Sequence, residues 1–168
     1  MSDAALVDIV IEASEWDAEE LEALANRACS AALTGLGLAP ACFEIALLAC
    51  DDARIAELNG DFRAKPTATN VLSWPSEDIE LPLGESPDLP DPELDGPPHE
   101  LGDIAIAYQT CAREAEEQGK PFADHVSHLL VHATLHLLGF DHINDPDAAH
   151  MEAIETRILA TMGIPDPY

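Results

Sequence analysis

Hydrophobic and polar positions along the chain switch repeatedly between a period of two and a period near 3.6. Residues 6–11 are apolar and β-branched, with Val7, Ile9 and Ile11 on alternate positions, which predicts a strand. Asp17 followed by Glu20 is a capping-box pattern, and Leu21, Leu24, Ala25 and Ala28 then recur at helical spacing. A second strand is predicted over 42–50, after which Asp51 or Asp52 caps a short helix carrying Ile55 and Leu58. Residues 70–74 read as a third strand stopped by Pro75, and 101–108 as a fourth. A helix over 109–118 is ended by Gly119. Pro121 is placed at the first position of a long helix over 122–138, ended by Gly139. A last helix opens at Asp145-Pro146 and closes at Gly163 and Pro165. Strands interleaved with helices, followed by a helical C-terminal third, predict a sheet covered by helices. The 168 residues suit one domain.

Residues 76–100 break the pattern, with six prolines, nine acidic residues and no Lys or Arg, and are expected to form an acidic, proline-rich surface insert. The insert does not account for the charge of the chain. Its 33 acidic residues face 7 basic ones, a formal net charge of −26, so the remaining surface is acidic as well. Such a chain repels nucleic acid at long range, because polyanion binding is driven by Lys and Arg displacing counterions. Cys29, Cys42, Cys50 and Cys111 form no C-x-x-C pair and are expected to be buried free thiols. No apolar run approaches a membrane span and no secretory signal is read at Met1, so a soluble cytoplasmic protein is expected.

The segment from His132 to His142 carries the chemistry. His132 and His136 are one helical turn apart, so both imidazoles leave one face of the long helix. Gly139 ends that helix with a turn glycine makes cheaply, and His142 follows three residues later, in reach of the same point. Three neutral imidazoles leave a fourth position open, the arrangement of a catalytic zinc site, so one Zn²⁺ per chain is expected on His132, His136 and His142. His125 and His128 share the face, the four histidines spanning an arc of roughly 80° at 100° per residue. For His128 a role in the cleft and a packing role are both open; His125 is read as packing. His99 is expected to be solvated in the insert and His150 to lie on the surface, while Asp141 is either a partner for an imidazole or a turn residue. The spacing H-x-x-x-H-x-x-G-x-x-H is shared with metzincin proteases, which carry a general-base Glu after the first histidine. Here that residue is Ala133, which argues against a peptidase of that type.

Residues 132–142 resemble the histidine motif of the YbeY family, bacterial rRNA maturation factors described as metal-dependent single-strand endoribonucleases, with Ala133 replacing a glycine. Leu58-Asn59-Gly60-Asp61-Phe62-Arg63 is similar to the family's L-N-x-x-[YF]-R, and Thr69 to Pro75 to its T-[ND]-V-L-S-F-P, with Trp74 for Phe. Leu101-Gly102-Asp103-Ile104 matches its L-G-D-I, and the likeness continues through Met151 to Glu155, failing in the insert. The resemblance implies an α+β fold, with a mixed four-stranded sheet packed with about five helices and the metal-bearing helix near the C-terminal end. It implies metal ligation by His132, His136 and His142, and a functional arginine, Arg63.

The catalytic candidates are therefore Arg63 and His132. The implied reaction is hydrolysis of phosphodiesters in single-stranded RNA, at the 3′ end of 16S rRNA and in ribosome quality control, with Arg63 gripping phosphate and Lys65 adding a second cation. Small ribosomal subunit proteins are the expected partners, since an acidic enzyme needs its RNA delivered; no membrane and no DNA are expected. Two other readings stay open: a zinc hydrolase of another substrate, and a non-catalytic ribosome-assembly factor with a structural metal. Without the resemblance, Arg63 reads as one half of a surface salt bridge.

Overall fold

The computed structural model describes residues 6–63, 67–76, 99–140 and 145–167. Four strands and five α-helices follow one another as β1 (Val7–Ile11), α1 (Ala18–Gly35), β2 (Phe43–Cys50), α2 (Asp52–Arg63), β3 (Val71–Pro75), β4 (His99–Ala107), α3 (Tyr108–Gln118), α4 (Phe122–Leu137) and α5 (Asp145–Thr161). The sheet order is β1-β2-β4-β3, with β1, β2 and β4 parallel and β3 antiparallel to β4. The mixed α+β architecture is the one expected.

Alternation along the strands divides the sheet into two faces. Val7, Ile45, Leu47, Ile104 and Ile106 turn toward a large core shared with α1, α4 and α5. Cys50, Leu72, Ala105 and Ala107 turn the other way, onto Ile55 and Leu58 of α2. On that second face Val10 is 59% exposed and joins Asp8, Leu48, Trp74 and Asp103 around an open groove of about 520 Å³. In the large core α4 is the central helix, with Val126, Leu129, Leu130, Val131, Ala133, Leu135 and Leu137 all buried. Between β3 and β4 the backbones approach so closely that a Cβ on Gly102 would lie 2.2 Å from the carbonyl oxygen of Trp74, and Gly102 adopts φ +142. Only glycine fits that crossing.

Local expectations hold with small displacements. Asp17 caps α1 by accepting the backbone N–H of Glu20 at 3.0 Å. Asp51 caps α2 through the N–H of Arg54 at 2.8 Å. Pro121 is the cap residue of α4 and not its first helical residue, because its ψ of 140° is extended. Pro75 is the last residue of β3 and does not precede its end. Tyr108 opens α3, and β4 begins at His99, so His99 and Glu100 are strand residues. His99 is half-buried with its ring 6.0 Å from that of Phe43, which corrects the solvated position expected for it. All four cysteines are buried free thiols. Burial pushes the Cys29 thiol up to about 11 and, with Glu12 nearby, that of Cys50 to about 12, so neither offers a thiolate.

Candidate active site

Helix α4 builds the site because two demands on it coincide. Its apolar residues must face α1, α5 and the sheet, which fixes its rotation, and that rotation places His128, His132 and His136 in sequence along the helix, with His125 turned to α3. His132 and His136 lie with ring centroids 4.9 Å apart, and His128 lies 6.4 Å from His132. Ala133, beside the first of the pair, is 1% exposed and points into the core. A glutamate there would be buried in hydrocarbon and away from the histidines, which explains at the level of packing why the metzincin arrangement does not apply here.

Helix α5 contributes a residue to which the sequence reading assigned no role. Glu155 is fully buried and sits between two of the imidazoles. Its Oε1 lies 2.9 Å from His128 Nε2, and both its oxygens lie 3.2 Å from His132 Nδ1. The signal was present in the chain: Met151, Ile154, Ile158, Leu159 and Met162 form the inward stripe of α5, and Glu155 falls inside it. A second carboxylate serves His125, whose Nε2 lies 2.9 Å from Glu114 Oε1 on α3. The same oxygen accepts a hydrogen bond from Asn70 at the start of β3, at 3.0 Å. His125 is buried as expected for a packing residue. Its Nδ1 is buried with no hydrogen-bond partner among the described residues. His150 is half-buried, its ring 5.9 Å from Phe140, and is not the surface residue expected.

The remaining expected site residues fall differently. His142, Asp141 and Lys65 lie outside the described residues, as does the side chain of Arg63, the last residue of α2. Among the described residues no group of three or more His, Cys, Asp or Glu is placed to hold a metal ion. Two of the three expected ligands are described, and Glu155 stands behind His132, on the Nδ1 side of the ring. The donor chemistry present fits a metal: two neighbouring imidazoles, one held at Nδ1 by a carboxylate as coordinating histidines commonly are. The C-terminal turn of α4, which carries His136, adds the negative end of the helix dipole, favourable to a cation. The 520 Å³ groove lies on the sheet face turned away from α4 and is no part of this cluster.

A mixed sheet with a buried helix that presents histidines to a carboxylate on its neighbour defines a class, α+β proteins whose polar cluster sits on a helix face. Comparison with known proteins narrows it. A family model described as Endoribonuclease YbeY matches residues 7–163. An Endoribonuclease YbeY from Dinoroseobacter shibae is 61% identical, over 98% of this chain and 91% of that protein. One from a Jannaschia species is 57% identical, over 96% and 99%. A Thermotoga maritima protein solved in solution, 19% identical, shares the fold with a TM-score of 0.59 over 91% of this chain and 86% of its own. The chain belongs to the endoribonuclease YbeY family.

Proposed function

We propose that this chain, an endoribonuclease by family, acts in the cytoplasm on single-stranded ribosomal RNA, maturing the 3′ end of 16S rRNA, and that it works with one zinc ion held by His132, His136 and His142. The observation that carries the reading is the pair of adjacent imidazoles, 4.9 Å apart on one helix face, with Glu155 behind the first. Zinc, when bound, supplies Lewis acidity at a phosphoryl oxygen. Arg63 holds the scissile phosphate, its fork of N–H donors matching two oxygens and stabilising the charge that gathers there. Lys65 adds a cation to the same end of the substrate. The other five basic residues are already engaged. Arg54 pairs with Glu12 and Glu57, Arg113 meets Glu117, and Arg27, Lys120 and Arg157 hold backbone carbonyls. A surface with a net charge of −26 gives little affinity for naked RNA, so proteins of the small ribosomal subunit present the RNA to the site. The same delivery suits ribosome quality control.

The test is cleavage of a single-stranded RNA by the purified protein, alongside its metal content by elemental mass spectrometry. About one zinc per chain is expected, lost in His136→Ala together with cleavage, and cleavage lost on chelation is restored by zinc. Cleavage by His136→Ala at the wild-type rate, or by fully chelated protein, overturns the reading.

A further inference from the structure

The inner face of α5 is hydrocarbon, formed by Met151, Ile154, Ile158 and Leu159, and Glu155 is set into it with none of its surface exposed. A carboxylate is expensive in such a place and persists only where donors meet it. The donors here are imidazoles of α4: His128 through Nε2 and His132 through Nδ1. As a carboxylate Glu155 has no proton to give, and each ring then donates at the nitrogen that faces it. The two histidines, four residues apart, are thereby held in opposite tautomers. His132 then carries its proton on Nδ1 and its lone pair on Nε2, and His128 carries its proton on Nε2.

We propose that Glu155 is a positioning residue: it sets the tautomer and orientation of His132 so that Nε2 is the coordinating nitrogen, and His128 holds Glu155 in place. The part about coordination rests on the metal reading above. The tautomer assignment rests on the hydrogen-bond geometry and on Glu155 being a carboxylate. Outer partners of this kind change metal affinity by about 10- to 100-fold.

Ring ¹⁵N–¹H correlation spectra of the metal-free wild-type protein, at a pH where the rings are neutral, read the tautomers directly. The expected result is Nδ1–H for His132 and Nε2–H for His128; Nε2–H at His132 overturns the proposal without any variant having to fold. In Glu155→Gln the side-chain amide can donate as well as accept, so His132 is expected to mix tautomers. Its zinc dissociation constant, measured by competition with a chromophoric chelator, is expected to weaken by about 10- to 100-fold. A folded Glu155→Gln protein with wild-type tautomers and affinity also overturns it. If the wild-type protein takes up no zinc, the metal reading fails, and the tautomer spectra still decide whether Glu155 positions His132.

Discussion

At the scale of single residues the chain spends its scarce cations deliberately. Of seven Lys and Arg, the five with described side chains each hold an acid or a carbonyl, and Arg63 and Lys65 are the two for which a substrate role is proposed. Arg63→Ala is therefore expected to leave zinc content and thermal unfolding unchanged while cleavage slows by about 10²- to 10³-fold, the usual effect of removing one donor to developing negative charge. Unchanged cleavage in a rate assay at saturating RNA would return Arg63 to the surface-salt-bridge reading. The histidines show why residue type alone is insufficient. His128 and His132 are chemically identical and on one face, and their different surroundings follow from which ring nitrogen faces Glu155.

At the scale of elements, helix ends are where local and distant chemistry divide. Asp17 and Asp51 cap the helices they precede, through contacts three residues long that the chain makes wherever it folds. Helix α3 has no such residue, its cap position being Ala107. Asp52, from the start of α2, supplies the missing acceptor, taking the backbone N–H and the hydroxyl of Thr110 at 3.0 and 2.8 Å. Asp17→Ala and Asp52→Ala are each expected to lower unfolding stability by about 1 kcal/mol, the ordinary worth of a cap, measured by urea denaturation. An effect confined to Asp17 would show that the distant cap contributes nothing. The first of these was written in the capping-box pattern, and the second was legible only once α2 and α3 lay side by side.

The whole molecule is dominated by self-repulsion. A net charge of −26 on 168 residues opposes compaction, and the described ion pairs neutralise little of it, since they are few and lie at the exposed surface. Salt shortens the reach of that repulsion, from about 10 Å at 0.1 M to about 3 Å at 1 M. The melting temperature is accordingly expected to rise when sodium chloride goes from 0.1 to 1 M. A fall across that range would mean that attractive pairs outweigh the repulsion. No described helix is long and apolar enough to cross a membrane.

The sequence by itself determined the elements and their inward faces, and it placed His132 and His136 on one side of a helix. These are matters of period, and the chain encodes period within a dozen residues. It also carried, in five separate segments, the likeness to a family that the comparison bears out. Only the tertiary structure decided that β4 enters the sheet between β2 and β3, that Gly102 must admit the carbonyl of Trp74, and that Glu155 meets His128 and His132. Such contacts join segments 20 to 60 residues apart by about the same local rules that would suit many other pairings. Which pairing is adopted depends on how the whole set of apolar faces can be buried at once, a sum over the molecule that no single stretch of chain contains.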